Sequence, residues 1–202
     1  MKRVAVSQRI EHLPERRELR DALDQRLVQW LEQGSALAFP VPNGWTGRDS
    51  LSAWLAALAP DGVVLSGGED VSIAPARDEA ERALLDYAHA RRLPVLGLCR
   101  GMQMLSVRAG ARLERITGHA GCRHSLQAAS GGAVAAEVNS FHAWGLLACP
   151  DGYQVLARAP DDSIEAIRHS DLPWEGWMWH PEREAAFGEA DLERLRSLLG
   201  DD

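Results

Sequence analysis

A three-layer α/β fold, with a mostly parallel central sheet and hairpin strands added to it, is predicted by two features of the sequence. Short, uninterrupted apolar runs of β type alternate with segments of helical period through residues 3–109. Such an alternation implies a parallel sheet with helices on both faces. Beyond residue 110 the pattern changes to short alternating runs separated by turn residues, as in hairpins or edge strands.

The elements follow in order. "RVAVS" (3–7) reads as the first strand. Leu19, Ala22, Leu23, Leu27, Trp30 and Leu31 recur near helical spacing and predict a helix over 15–33, with Gly34 as its stop. "ALAFPVP" (36–42) is a second strand, and 50–58 a short helix capped by Asp49 or Ser50. "GVVLSGG" (62–68) is a third strand running into glycines. The segment 78–92 puts Ala80, Leu84, Leu85 and Ala88 on one helical face. "PVLGL" (94–98) is a fourth strand, followed by a helix over 102–109. The later runs are "RLERI", "GAVAAEV", "YQVLARA", "SIEAIRH" and "WEGWMW", and a last helix over 191–199 buries Leu192, Leu195, Leu198 and Leu199. No repeat or linker divides the chain, so one domain over 1–202 is expected.

Composition narrows the function. The 202 residues are 46% hydrophobic and 25% charged, ordinary values for a globular protein. A net charge of −7 argues against a general nucleic-acid or anionic-membrane surface. Cys99, Cys122 and Cys149 are too few and scattered for a disulfide framework, which suits a reducing cytoplasm. The start "MKRVAVSQRIEH" does not read as a signal peptide, and no apolar run approaches the roughly 18 residues of a membrane span. A cytoplasmic location is the expectation.

Three stretches carry chemistry. "VLGLCRGMQML" is an apolar strand, a sharp turn and a helix with Cys99 at the turn, the thiol form of the G-x-S-x-G nucleophile elbow. Gly97 and Gly101 are read as letting the backbone turn tightly and keeping side chains away from the sulfur. The helix N-terminus beside it favours thiolate. "WMWHPERE" (177–184) offers His180 as a base, with Glu182 across Pro181 to orient its other nitrogen. "LSGGED" (65–70) presents backbone N–H groups suited to an oxyanion and lacks the G-K-[ST] ending of a phosphate loop. His119, Cys122 and His124 in "HAGCRH" lack a fourth ligand, so no metal site is assigned. Glu165 reads as a hairpin residue. Trp177 and Trp179 share a strand face, where they either wall a pocket or pack.

Together "SGGED" (66–70), "GLCRGMQ" (97–103), "VNSFH" (138–142), "DDSIEAI" (161–167) and "WHPE" (179–182) resemble the class I glutamine amidotransferase superfamily, in both order and spacing. Two of these stretches, "VNSFH" and "DDSIEA", look like its γ-glutamyl hydrolase branch, peptidase family C26. The start "SQRI…ELRDAL" and "SGGEDVS" look most like the small members that cleave γ-glutamyl-CDP-amidate. The resemblance implies a flavodoxin-like class I glutamine amidotransferase fold and no cofactor. It also implies Cys99 as nucleophile, His180 as general base and Glu182 orienting it. The backbone N–H groups of Gly68 and Arg100 would form the oxyanion hole, with Gln103 and the 139–144 stretch around His142 holding the glutamyl end. Arg9, after the first strand and with Arg20 or Arg77 near it, would meet the phosphate of a γ-glutamyl nucleotide amidate. A γ-glutamyl-γ-aminobutyrate substrate, or a glutaminase component feeding ammonia to a separate synthase, are the alternatives. The sequence leaves the oligomeric state, a homodimer included, open.

Overall fold

The computed structural model describes residues 1–129 and 135–200. In chain order the strands and helices are β1 (Lys2–Ser7), β2 (Arg9–Leu13), β3 (Glu18–Ala22), α1 (Gln25–Gln33), β4 (Ala36–Val41), α2 (Arg48–Leu58), β5 (Gly62–Leu65), α3 (Pro75–Arg91), β6 (Val95–Leu98) and α4 (Arg100–Arg108). The second half contributes β7 (Glu114–Arg115), β8 (Ala120–Ser125), β9 (Gln127–Ala128), β10 (Glu137–Phe141), β11 (Trp144–Gly145), β12 (Tyr153–Arg158), β13 (Ile164–His169), β14 (Trp174–Trp177) and α5 (Glu189–Leu199). Part of the "GAVAAEV" run falls outside the described residues.

One eight-stranded sheet, ordered β4-β1-β5-β6-β14-β13-β12-β9, takes strands from both halves of the chain. The five strands from β4 to β14 are mutually parallel, and β13, β12 and β9 extend the sheet antiparallel. Counting only the parallel strands in chain order gives 2-1-3-4-5, the flavodoxin-like order, whose ligands bind beyond the carboxyl ends of the strands.

The layers follow from period-two alternation within the strands. Val4, Val6, Val64, Leu96 and Leu98 point to one face and pack with Leu27, Trp30 and Leu31 of α1 and Leu192, Leu195 and Leu199 of α5. Ala5, Val63, Leu65 and Val95 point to the other, against Leu51 and Leu55 of α2, Leu84 and Leu85 of α3, and Leu105 of α4. Each large apolar side chain so buried contributes gross transfer free energy of about 1.5–3 kcal/mol. Trp177 and Trp179 stack at 5.4 Å with planes 7° apart, and Trp30 meets Trp177 edge-on. They are core, fully buried, and the packing reading of the pair holds.

The structure corrects the helix expected over 15–33. Its first part is a β2–β3 hairpin, pairing Arg9 with Ala22 and Leu13 with Glu18 around a short 3-10 turn at Pro14–Arg16. Leu19 is largely exposed, so the helical spacing there marks no buried face. The helix starts at Gln25, where Asp24 accepts a hydrogen bond from the Arg26 N–H at 2.9 Å and caps it. Among the described residues no helix is long and apolar enough to cross a membrane.

Candidate active site

The elbow is built by close backbone contact. A β-carbon on Gly97 would lie 2.5 Å from the Gly101 carbonyl carbon, and one on Gly101 would overlap the Leu65 carbonyl oxygen. Both glycines therefore let α4 press onto β6 and β5. The unusual backbone sits on the cysteine itself: Cys99 has φ 49° and ψ −102°, immediately before α4. This revises the expectation that the glycines make the turn. A non-glycine residue held there costs about 1–3 kcal/mol, which the packing on either side sustains. Its N–H donates to Trp177 O at 2.7 Å, which locks the elbow to β14.

His180 reaches the same place from the neighbouring strand. β14 runs parallel to β6 with Trp177 opposite Leu98, so both chains leave the sheet at one edge. Asn139 of β10 then grips the histidine backbone, accepting from its N–H at 2.9 Å and donating to its carbonyl at 2.8 Å. The imidazole Nδ1 lies 2.6 Å from Glu182 Oε1, and Cys99 stands near enough to influence the titration of the ring. Since Nδ1 is taken by the carboxylate, Nε2 is the nitrogen left for the thiol. Burial alone would lower the His180 pKa, but the hydrogen bonds and charges of Cys99 and Glu182 outweigh it and raise the value to about 9. Glu182 sits in a 3-10 turn opened by Pro181, and Arg26 of α1 donates to its carbonyl at 2.9 Å and also to that of Glu184.

The glycine loop after β5 closes the third side. Gly68 has φ 149°, a conformation that favours glycine, and a β-carbon there would overlap the Arg77 guanidinium. Arg77 is fully buried and donates to Ser66 O at 2.7 Å, Gly67 O at 3.0 Å, Glu69 at 2.8 Å and Glu81 at 3.0 Å. It therefore shapes the loop from below, near Arg9 as expected but engaged within the protein. The Arg100 guanidinium likewise turns inward to Asp78 and Glu81 of α3. Only the Arg100 backbone remains beside Cys99.

The other expected site residues divide. Arg9 lies on β2 with its β-carbon 3.2 Å from where one on Gly68 would stand; its side chain is half exposed, with a loose 3.9 Å approach to Glu11. With Ser66, Gly67, Glu182 and Arg183 it lines a small cleft. Arg20 pairs with Glu18 on the exposed hairpin. Gln103 donates to Trp144 O at 3.0 Å, so its amide nitrogen holds α4 to β11. His142 has Nδ1 3.1 Å from Trp144 O, while Nε2 faces Glu165 at 3.5 Å; both ring nitrogens face inward partners. Asn139 and Gly67 are contributors that the motif reading did not single out. The signal was present in "VNSFH" and "SGGED", but which residue of each stretch touches His180 depends on tertiary register.

Comparison with known proteins places this arrangement among relatives. The sequence model of the peptidase C26 family matches residues 4–182. A glutamine-hydrolyzing GMP synthase subunit of Methanothrix thermoacetophila is 32% identical over 149 residues, covering 70% of this chain and 78% of that protein. The gamma-glutamyl-CDP-amidate hydrolase of Campylobacter jejuni is 30% identical over 128 residues, covering 60% of this chain and 62% of its own length. The gamma-glutamyl-gamma-aminobutyrate hydrolase of Escherichia coli K12 is 29% identical over 200 residues, covering 79% and 78%. A solved Thermoplasma acidophilum protein, described as a GMP synthase subunit, superposes with a TM-score of 0.73 at 20% identity, over 99% of this chain and 94% of that one.

Proposed function

The chain belongs to the peptidase C26 family and has a class I glutamine amidotransferase-like fold, and from that premise we propose that it hydrolyses a γ-glutamyl amide through Cys99. The observation that carries this reading is the 2.6 Å His180–Glu182 contact beside Cys99, at the carboxyl ends of two adjacent parallel strands.

The chemistry runs in two halves. The Cys99 thiolate attacks the γ-carbonyl carbon, and His180 gives a proton to the departing nitrogen as the C–N bond breaks. The glutamyl-thioester is then attacked by water, whose proton returns to His180, and glutamate leaves as the C–S bond breaks. Gly68 and Arg100 backbone N–H groups serve the oxyanion in both tetrahedral states, each such donor contributing ~10²–10³ in rate. Gln103 and His142 enter by fixing the segment against which the glutamyl end lies, since Gln103 Nε2 and His142 Nδ1 are both held at Trp144 O.

For the leaving group we favour a nucleotidyl phosphoramidate such as γ-glutamyl-CDP-amidate. Arg9 stands at the cleft rim, half exposed and 3.9 Å from Glu11, and Arg183 lines the same cleft, so both would be at hand for a leaving group placed there. Planar guanidinium forks suit phosphate. The aminobutyrate conjugate is supported equally by relatedness, and the ammonia-delivering reading by the GMP synthase relative.

Glutamate release from glutamine, γ-glutamyl-γ-aminobutyrate and γ-glutamyl-CDP-amidate separates them. The nucleotide amidate should have the highest kcat/KM without any partner protein, and Cys99→Ala should abolish turnover with an unchanged circular dichroism spectrum. Arg9→Ala should lower kcat/KM about 10–100-fold for the nucleotide only, the worth of a charge-assisted contact. Preference for the aminobutyrate conjugate removes the phosphate argument. Inertness until a synthase is added favours the amidotransferase, and full activity of Cys99→Ala removes the mechanism.

A further inference from the structure

Four side chains outside the Cys99–His180–Glu182 chain converge where β8 and β10 meet the central sheet. His119 precedes β8, His124 lies on it, His142 follows β10, and Glu165 comes from β13. One ligand-capable atom of each lies within 4.8 Å of the others. His119 Nδ1 and His142 Nε2 are each 3.5 Å from Glu165 Oε1, and His124 Nε2 is 3.7 Å from Oε2.

These separations are too long for hydrogen bonds but suit a shared ion. Donors about 2.0–2.1 Å from a tetrahedral zinc stand roughly 3.3 Å apart. Glu165 is fully buried, His119 and His142 nearly so. Among the described residues, both Glu165 oxygens and the three facing nitrogens have no hydrogen-bond partner. A buried carboxylate left in that state is expensive.

The outward nitrogens fix which way the lone pairs point. His124 Nδ1 lies 3.1 Å from Ser125 O, and His142 Nδ1 lies 3.1 Å from Trp144 O. Carbonyls only accept, so those nitrogens carry the proton in the neutral ring. His119 Nε2 lies 3.0 Å from Asp161 Oδ2, whose other oxygen accepts from Ser163 N and Oγ. A carboxylate there also asks for N–H. Three imidazole lone pairs are thus aimed at a carboxylate, which repels them unless a cation lies between. Histidines whose second nitrogen donates to a carboxylate or backbone carbonyl are the usual outer shell of a metal site.

We propose that His119, His124, His142 and Glu165 form a closed, structural zinc site. Three imidazoles exclude magnesium and calcium, which take oxygen ligands, and four protein donors match zinc's tetrahedral habit with no position left for water. The trio suggested by sequence spacing is amended: Cys122 donates its S–H to Gly118 O, and His142 and Glu165 complete the set. The ion would pin the β8–β10 pair to β13, and β10 carries the Asn139 that holds the His180 backbone. It would therefore set the stiffness of the wall behind the candidate base without touching substrate.

The test uses the full chain expressed without a histidine tag. Elemental analysis should find one zinc per chain, and dialysis against a strong chelator should lower Tm, which added zinc restores. Cobalt loaded into the stripped protein should give tetrahedral d–d bands without thiolate charge transfer. Glu165→Gln and His124→Ala should lose the stoichiometric zinc. Asp161→Asn keeps all four donors and should weaken zinc affinity about 10–100-fold. Absence of metal together with a Tm indifferent to added zinc overturns the proposal in favour of a proton-held cluster. Zinc uptake unchanged in both Glu165→Gln and Asp161→Asn overturns it too, since the ion then sits elsewhere. These readouts do not depend on turnover, so they stand or fall apart from the hydrolytic reading.

Discussion

Gly67 packs directly against the imidazole of His180. A β-carbon at that position would fall on ring carbon Cε1, well inside the roughly 3.5–4.0 Å of an ordinary carbon contact. Gly67→Ala must therefore displace the ring or the loop. Ring displacement of about 1 Å at a reacting group can cost ~10²-fold, so kcat should drop by that order. The overpacking should lower stability by about 1–3 kcal/mol, leaving a folded protein. Steady-state kinetics beside a urea titration would check both, and an unchanged kcat would show that the ring does not work where it lies.

The His180 pKa of about 9 sets a pH dependence. Burial pushes it down, but the bonds and charges from Cys99 and Glu182 push it above its ordinary 6.5. In the proposed mechanism, the imidazolium that protonates the leaving nitrogen is then present through neutral pH, and kcat/KM should fall as pH rises through about 9. Because the folded value exceeds the unfolded one, this group stabilises the fold fully below pH 6.5 and loses that contribution as pH climbs to about 9. Glu182→Gln removes one raising charge while burial remains, so the alkaline limb should move toward lower pH. Rate profiles and Tm against pH for both proteins would report it; a limb that stays in place would show that Glu182 does not tune the ring.

Glu81 joins two buried cations. It accepts from Arg77 at 3.0 Å and from Arg100, while Ser7 Oγ donates to it at 2.8 Å. Glu81→Gln leaves both guanidinium groups short of charge in the core and should cost about 3–5 kcal/mol. Removing the solvent-exposed Glu79 partner of Arg48 should leave the urea midpoint nearly unmoved, because water and salt screen that pair. Equal midpoints for the two variants would contradict the role given to burial.

Four of the five parallel strands were readable because a strand buried on both faces is a bare apolar run, as in "GVVL" and "VLGL". The run "WEGWMW", expected among the added hairpin or edge strands, instead supplies β14, a parallel strand between β6 and β13, because pairing with distant β6 leaves no local mark. Cys99 and the His180-Glu182 pair were readable because their neighbours are themselves functional in geometry: glycines that permit contact and a proline that fixes a turn. The β2–β3 hairpin was hidden because Leu19, Ala22 and Leu23 mimic helical spacing although Leu19 faces solvent. Burial of Arg77 was not legible, because it depends on α3 packing its guanidinium beneath the loop after β5, where Ser66 O, Gly67 O, Glu69 and Glu81 meet it. The histidine cluster escaped because its members lie in and beside β8, β10 and β13: pairing of β8 with β10 and the packing of that pair against the central sheet make them neighbours.

The parallel pairing of β6 with β14 also has a consequence for biogenesis. The thiol side of the site is complete once α4 has formed on β6, yet its imidazole arrives on a strand that must insert between β6 and β13. Contacts between such distant segments form late, because closing the intervening loop costs entropy before any pairing repays it. A ribosome emits Cys99 well before His180. On the proposed mechanism, the nascent chain would through that interval hold its nucleophile without its proton carrier, and reactivity toward amides would wait for the closing of the sheet.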